Sequence, residues 1–513
     1  MANLALLSLS LSFLFLFHGA IAQLELQQQH RLRAKTRCRI QKLTAREPSR
    51  RFESEAGVNE YWDTNSEEFE CAGIEFVRHV IQPKGLLVPH YSNAPQLVYI
   101  VQGSGIHGAI FPGCAETYES EEEEEEQQQH GRRRFEEEEE ERGGRRSDRH
   151  QKLRRIRRGD ILALQEGITH WVYNDGDTPL IGVSILDVGS QANQLDLKYR
   201  RFFLAGNPGA SQSQDQDEGG RGRESEGRKE REQEGSRGRS RRGEQEQEKR
   251  NIFFSFPDKL LADIFNIDEE LARSLKAYED NRGTIIRAER LNLNFPEWGN
   301  EEQERRREEE GERERQRTGG GGGGGRYNGL EETFCSLRIK QNIDHPAKAD
   351  VYNPRGGRIS TINSQNLPIL SYLKLSAERG VLYRKAVFAP HWNMNAHSAI
   401  YVTGGSARIQ VAGSHGNLVF DEEVKEGQLL IVPQNFVVLK QAGNEGFEWV
   451  SFKTNDNAMK SQLAGRLSVI RAIPEEVLMN VYGFSREDAR RLKYSREEAT
   501  VFSPSTRTGG GRA

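Results

Sequence analysis

The chain has 513 residues, a formal net charge of −4 and 35% hydrophobic residues, so it is long enough for two or three folded domains diluted by polar tracts. After the first 22 residues, no stretch is apolar enough over sufficient length to span a bilayer. This composition excludes an integral membrane protein with several spans.

The first segment, residues 1–22, reads MANLALLSLSLSFLFLFHGAIA. An apolar run, a helix-disturbing His18-Gly19 pair and small residues at Ala20 and Ala22 are typical of a secretory signal, with cleavage expected between Ala22 and Gln23. A membrane anchor is the alternative, but the apolar run is short and no stop-transfer charge follows it directly. We therefore expect no membrane association after signal removal.

Four cysteines follow in a chain that is expected to enter an oxidising compartment, where disulfides are favoured over metal ligation. Four cysteines allow three pairings. Proximity in sequence favours Cys38 with Cys71, which leaves Cys114 with Cys335.

Polar tracts interrupt the chain at residues 116–158, 206–250 and 301–328. They consist of Glu, Gln, Arg, Gly and Ser with almost no apolar residues, which predicts long disordered acidic and Gly-rich loops. Their Arg-rich patches alternate with Glu and offer no aromatic residues for base stacking, so we expect no nucleic-acid partner.

Two regions between the tracts have the pattern of short apolar runs broken by Gly, Pro and Asn, which predicts consecutive β-strands. Each region is followed by a helical segment, FPDKLLADIFNIDEELARSLK from Phe256 and IPEEVLMNVYGFSREDARRLK from Ile473, and the two align without a gap. The sequence therefore indicates a duplication of a β domain with a helix pair. A helix-turn-helix DNA-binding motif is the alternative, but it does not suit a secreted chain, so we expect these pairs to pack on a neighbouring subunit.

Seven consecutive glycines, Gly319 to Gly325, precede an Asn328-Gly329 pair, and Cys335 follows. Such a stretch is expected to be mobile and exposed to proteases. We interpret Asn328-Gly329 as a processing site whose products stay joined through Cys335. Cutting there divides the charge into −9 before the bond and +5 after it, from 50 Lys and Arg against 59 Asp and Glu, and 23 against 18.

The signal peptide, the duplicated domains, the acidic tracts and the junction NGLEETFCSLRIKQNI together resemble a legumin-type (11S) seed storage globulin of the bicupin family. The resemblance implies a mainly β fold with two tandem cupin (jelly-roll) β-barrels, each followed by a small helical extension. It places an N-terminal cupin domain at residues 23–300 and a C-terminal one at 329–513, joined by the linker 301–328. It also implies a precursor that forms trimers in the endoplasmic reticulum, is cut after Asn328 by an asparaginyl endopeptidase in the storage vacuole, and then forms hexamers.

Cupins include metal enzymes, whose site resembles His-x-His, a Glu a few residues later and a His on a downstream strand. The corresponding positions hold His90, Ser92, Gln96 and His170 in the first barrel, and His391, Asn393, His397 and Val438 in the second. Each set keeps two imidazoles at most and no carboxylate. We therefore predict no metal site, no cofactor and no catalytic residues.

Storage of nitrogen and carbon is the function that the resemblance implies, and it suits a chain rich in Gln, Asn and Arg with four Met and four Cys. The competing hypothesis is a secreted bicupin enzyme, such as a metal-dependent oxidase or decarboxylase. A sugar-binding or signalling cupin is a third alternative. We expect a protein without enzymatic activity, deposited in the protein storage vacuole or protein bodies of the seed.

Overall fold

The computed structural model describes residues 38, 40–116, 118–119, 149–210, 212–215, 250–289, 291, 293, 335 and 337–504. The predicted signal peptide with its Ala22–Gln23 bond, the linker 301–328 and the Asn328–Gly329 bond lie outside the described residues, as do the central parts of the two predicted disordered insertions. None of the helices within the described ranges is long and apolar enough to cross a membrane.

Several strands of the first half are buried at nearly every position, as expected of strands covered on both faces. The strands of this half are Arg50–Ser54 (β1), Gly57–Tyr61 (β2), Glu75–Ile81 (β3), Gly85–Ser92 (β4), Gln96–Gln102 (β5), Ser104–Ile110 (β6), Tyr118–Glu119 (β7), Arg149–His150 (β8), Leu153–Arg157 (β9), Asp160–Leu164 (β10), Thr169–Tyr173 (β11), Leu180–Leu186 (β12), Arg201–Phe203 (β13), Gln212–Asp215 (β14) and Ile285–Arg287 (β15).

The strands of the second half follow the same scheme but include two long ones that bend through both faces of the barrel. They are Lys340–Asn342 (β16), Val351–Asn353 (β17), Gly357–Ile362 (β18), Ser376–Leu382 (β19), Val387–Asn393 (β20), Ser398–Ala412 (β21), Leu418–Lys425 (β22), Leu429–Val432 (β23), Val437–Lys453 (β24), Lys460–Gln462 (β25) and Val501–Phe502 (β26).

The first barrel is made of two antiparallel sheets with non-sequential strand order, β14-β1-β2-β3-β12-β5-β10-β16 and β13-β4-β11-β6-β9, with β15 beside β4. The second is one sheet in which β21 pairs with β22, β23 and β24, and β24 continues to β19 and β20. Crossing strand order of this kind is the jelly-roll arrangement. The predicted fold class, two tandem β-barrels, is confirmed.

Helices are few and short, and their bounds are Glu67–Ala72 (α1), Asp258–Phe265 (α2), Glu269–Ser274 (α3), Leu370–Leu373 (α4), Val469–Ala472 (α5), Glu475–Tyr482 (α6) and Arg486–Tyr494 (α7). The predicted helix pairs are α2 with α3 and α6 with α7. In each pair the second helix begins at a side-chain cap, since Asp268 accepts from the Leu271 amide and Ser485 from the Asp488 amide. The two helix pairs therefore share the same capping chemistry.

The predicted disordered insertions are longer than the structure allows. Residues 153–157, placed in the insertion 116–158, form β9, which pairs with β6 and buries Leu153 and Ile156. Residues 212–215, placed in the insertion 206–250, form β14 and pair with β1. Both are edge strands, which bond through their backbones and need few apolar side chains. Composition alone therefore misassigned them.

The predicted domain boundaries also differ from the structure, because each barrel contains a segment from the other half of the chain. Leu43 is fully buried in the second barrel core, and its amide donates to the carbonyl of Val419 at 2.9 Å. Conversely, β16 pairs with β10 of the first barrel, and the flanking Ile339 and Ile343 are 1% and 2% exposed there. A split at residue 329 therefore divides the chain but not the folded units.

An aromatic cluster joins the two barrels into one continuous apolar core. Trp62 and Phe76 of the first barrel lie 6.1 and 5.7 Å, ring centroid to centroid, from Tyr401 of the second. Phe76 also lies 5.8 Å from Phe452. Trp62, Phe76 and Phe452 are at most 1% exposed and Tyr401 3%, so these contacts exclude water from the junction.

Both disulfides pair the cysteines that sequence proximity favours. Cys38 is joined to Cys71 across 33 residues, and Cys114 to Cys335 across 221 residues. The second bridge closes a long loop, which in the chain-entropy model stabilises the folded state by roughly 5 kcal/mol while the chain is uncut. It also fixes the start of the segment that leads into β16.

Leu43→Ala should destabilise the second barrel by about 2–5 kcal/mol, because the truncation leaves a cavity in its core. Unfolding by urea, followed through the fluorescence of the buried Trp449, measures the change. The matched control is Leu197→Ala, since Leu197 is 57% exposed and its truncation should cost well under 1 kcal/mol. An equally small loss for both variants would contradict the assignment of the N-terminal segment to the second barrel.

Candidate functional site

The first barrel interior brings together three of the four predicted positions. His90 on β4 and His170 on β11 are opposite each other in register, and their ring centroids are 4.3 Å apart. Gln96, at the start of β5, places its Nε2 atom 2.8 Å from Nε2 of His170. The amide nitrogen donates and the imidazole accepts, so the proton of neutral His170 lies on Nδ1.

Ser92 does not take part in this group. Its hydroxyl donates to the carbonyl of Ala94 at 2.8 Å, closing a local turn. A serine engaged with its own backbone leaves only two imidazoles and an amide at the cupin metal positions. That donor set lacks the carboxylate and third imidazole of the enzymes.

Two further histidines line the same interior and were missed by the sequence analysis. His107 on β6 is fully buried, and its ring centroid lies 5.7 Å from that of His170. His79 on β3 donates from Nδ1 to the side-chain oxygen of Asn59 at 2.6 Å. Both residues line the interior from their strands. A search based on the spacing of a metal motif does not consider which side chains of a strand face inward.

The cavity enclosed by these side chains measures about 30 Å³ and is lined by His79, His107 and His170 together with apolar residues such as Ile81, Leu87 and Leu162. A volume of this size holds one or two water molecules. Pockets for small organic ligands are usually about ten times larger or more. The first barrel interior is therefore closed to an organic substrate.

Burial lowers the pKa of every histidine in this group, because the charged form loses its hydration. The pKa falls to about 3 for His79 and His107 and to about 4 for His90. The pKa of His170 is also well below its usual value, with the neighbouring histidines adding to the effect of burial. The interior is consequently a set of neutral imidazoles at neutral pH.

The second barrel places its four predicted positions differently. His391 and Asn393 on β20 are each 1% exposed, and Val438 on β24 lies opposite His391 in register. His391 donates from Nδ1 to the Ala389 carbonyl at 2.8 Å. His397 faces the loop before β24, where its Nδ1 accepts from the Gln434 amide. One imidazole, one amide and one apolar side chain thus occupy the interior.

Charged side chains that the sequence analysis did not single out fill the rest of the second interior. Glu378 on β19 is 1% exposed, and Lys440 and Lys453 on β24 are 1% and 3% exposed. Lys460 on β25 donates to Glu378. Burial lowers the pKa of Lys440 to about 7 and of Lys453 to about 8. For Glu378, burial favours the neutral acid, but the three ammonium groups outweigh it and hold its pKa well below the usual range.

Within the described part of the chain, no three His, Cys, Asp or Glu side chains converge in a way that could hold a metal ion. The donor types agree with this geometry, since an amide is a weaker ligand than the carboxylate it replaces. At the cupin metal positions themselves, neither barrel offers the carboxylate that the enzymes use.

Comparison with known proteins identifies the class. The family model described as Cupin matches residues 43–208 and 341–490, the two barrels. An 11S globulin seed storage protein 1 from Carya illinoinensis is 50% identical over 477 residues, covering 92% of this chain and 91% of the relative. The chain belongs to the cupin family and, within it, to the 11S seed storage globulins.

Solved structures give the same result over about nine-tenths of the chain. The crystal structure of the coconut allergen cocosin has a TM-score of 0.71 at 43% identity and covers 91% of this chain and 100% of that one. The structure of procruciferin, an 11S globulin from Brassica napus, has a TM-score of 0.73 at 36% identity, covering 91% and 98%. The likeness extends over both barrels.

Acid should destabilise the first barrel through its buried histidines. Their folded-state pKa lies below the unfolded value of about 6.5, so this stability is complete above pH 6.5 and is lost as the pH falls toward about 4 and then 3. One such histidine accounts for about 2 kcal/mol between pH 6.5 and 5.

The variant His107→Leu lacks one of these imidazoles. When the pH falls from 7 to 5, its free energy of unfolding should therefore decrease by about 2 kcal/mol less than that of the wild type. Urea unfolding at both pH values measures the difference. His415→Leu is the control, because His415 is exposed on a turn and its removal leaves the buried group intact. The same pH dependence in His107→Leu and wild type would show that the buried imidazoles do not govern acid stability.

Proposed function

We propose that the chain is a seed nutrient reservoir for nitrogen and carbon and has no enzymatic activity. The observation that carries this proposal is the state of the cupin positions. Ser92 and Gln96 in the first barrel, and Asn393 and Val438 in the second, stand where the enzymes have metal ligands. The first interior is reduced to about 30 Å³. Storage needs stable packing and later digestion, and neither requires a reactive site.

Metal analysis of the purified full-length protein separates storage from the competing bicupin oxidase or decarboxylase. We expect a trace of metal, well below one ion per chain, after dialysis against buffer that contains Mn²⁺, Fe²⁺ or Zn²⁺ in turn. Retention of about one ion per barrel would overturn the storage proposal. The test reads metal content directly and does not depend on guessing a substrate.

We propose self-assembly into trimers as the precursor and hexamers when mature, through the helix pairs. Their outer faces carry exposed apolar side chains, which are Leu260, Ile264, Phe265, Leu271, Val477, Val481, Tyr482 and Leu492. A clustered apolar surface of this kind is typical of a protein interface. Because both helix pairs have it, one pair of each subunit can contact the other pair of its neighbour, which closes a ring.

Val481→Asp should weaken the trimer, because Val481 is 68% exposed on α6 and would bring an unpaired carboxylate into an apolar interface. We expect a loss of at least tenfold in association, measured by sedimentation of the uncut chain. Asn480→Asp, which adds the same charge at the neighbouring exposed position, is the control and should remain trimeric. Trimers of unchanged stability in Val481→Asp would exclude this face from assembly.

Processing is proposed at the Asn328–Gly329 bond by an asparaginyl endopeptidase, followed by deposition in the storage vacuole. The cut would produce an acidic and a basic chain linked by Cys114–Cys335. Before the cut, the charged tract 301–328 is continuous in sequence with the segment that leads into β16 of the first barrel. A cut after Asn328 gives the tract a free end, so its charge and volume would hinder face-to-face contact of two trimers less than in the uncut chain.

Asn328→Gln should leave the protein uncut and trimeric after endopeptidase treatment, because the extra methylene does not suit a pocket that reads Asn. The wild type should become hexameric, and sedimentation with a reducing gel measures both outcomes. Asn300→Gln, the same substitution elsewhere, should be processed normally. Hexamers of the uncut Asn328→Gln chain would show that this junction does not control assembly.

A further inference from the structure

The second barrel interior contains an excess of buried positive charge. Three ammonium groups, those of Lys440, Lys453 and Lys460, interact electrostatically with one carboxylate, that of Glu378. Lys440 and Glu378 are each 1% exposed, whereas the Lys460 side chain is 23% exposed at the rim. Burying an ammonium group without a counter-ion is unfavourable, and the lowered pKa values of Lys440 and Lys453 reflect a cost that a further negatively charged partner would reduce.

The pairing within the group shows where that partner is missing. Glu378 accepts from Lys460 through Oε2. Lys453 donates to Oγ of Ser398 at 2.8 Å and to Oδ1 of Asn393 at 3.3 Å. These bonds account for two of the three ammonium groups.

Lys440 is the third, and its Nζ has no hydrogen-bond acceptor among the described side chains and backbone. The ammonium lies over two rings, 4.4 Å from the centroid of Trp449 and 5.0 Å from that of Phe388. Ring faces stabilise one side of a cation but do not neutralise its charge.

Asn393 adds a second unsatisfied donor. Its Oδ1 accepts from Lys453, while its Nδ2 has no acceptor within the described residues. Asn393 is 1% exposed, so bulk solvent does not supply one. Buried donors are nearly always paired, and two unpaired donors beside uncompensated positive charge indicate a bound acceptor with negative charge.

We propose that the second barrel binds a small monovalent anion of halide size, held by the Lys440 ammonium and the Asn393 amide. The anion would accept hydrogen bonds from both donors and reduce the excess positive charge of the interior. Water would accept the hydrogen bonds but would leave the charge unchanged. The unpaired acceptors Glu378 Oε1 and His391 Nε2 are matched by water in either case. Asn393 occupies a position that holds a metal ligand in cupin enzymes. The site would therefore bind an anion where the enzymes bind a metal cation.

Diffraction from wild-type crystals grown with bromide as the only halide tests the site directly. We expect an anomalous difference peak inside the second barrel, within hydrogen-bond distance of Lys440 Nζ. Density there without anomalous signal would identify water and overturn the proposal. Bromide peaks on the protein surface alone would indicate an adventitious ion only, with the same consequence.

Thermal unfolding of the full-length protein provides the matching solution test. At constant ionic strength, replacing gluconate with bromide should raise Tm of the wild type by roughly 2 °C, with saturation. Lys440→Met should lose this rise, and Lys348→Met, at an exposed lysine, should keep it. An equal rise in Lys440→Met and wild type would overturn the proposal. If Lys440→Met does not fold, the bromide peak in the wild-type crystal decides.

Discussion

The contact between Trp62, Phe76 and the second barrel's Tyr401 and Phe452 is the interaction on which the rest of the structure depends. It belongs to an apolar cluster to which both barrels contribute, and the exchanged segment at Ile339 lies in the same cluster. The other exchanged segment, at Leu43, lies in a second cluster inside the second barrel. A chain built this way unfolds as one unit more readily than as two, and a single cut in the polar tract leaves both products embedded in a common core.

The two barrel interiors bury different polar groups. The first surrounds its histidines with apolar side chains and leaves a cavity of about 30 Å³. The second contains lysines that donate to a carboxylate, a hydroxyl group and an amide oxygen, and one that lies over aromatic rings. Both interiors bury polar groups at appreciable energetic cost, which the shared apolar core must offset.

Much of this could be predicted from the sequence. The short apolar runs around Gln96 and Ser398 indicate strands because such a pattern is local, and the cap residues Asp268 and Ser485 act on helix turns next to them in sequence. The edge strand at Leu153 and the exchange of Leu43 could not be predicted in this way. Their stability comes from backbone pairing and burial against residues far away in the chain, and no local pattern contains that information.

The same limit explains the missed site residues. His90 and His170 could be found because they stand in a motif, whereas His107, Glu378 and Lys440 belong to no motif and reach the interior only through strand order. Lysine in particular is expected at the surface, so two fully buried lysines contradict the usual reading of composition.

The position of Leu43 in the second barrel also determines when its segment can fold during synthesis. Its backbone partners, Val419 and the bridge from Arg46 to Leu429, emerge from the ribosome about 380 residues later, which at 5–20 residues per second is on the order of half a minute. Throughout that time the Leu43 side chain has no native site in which to be buried. This segment is made before the strands it packs against and therefore reaches its native position only after they are formed.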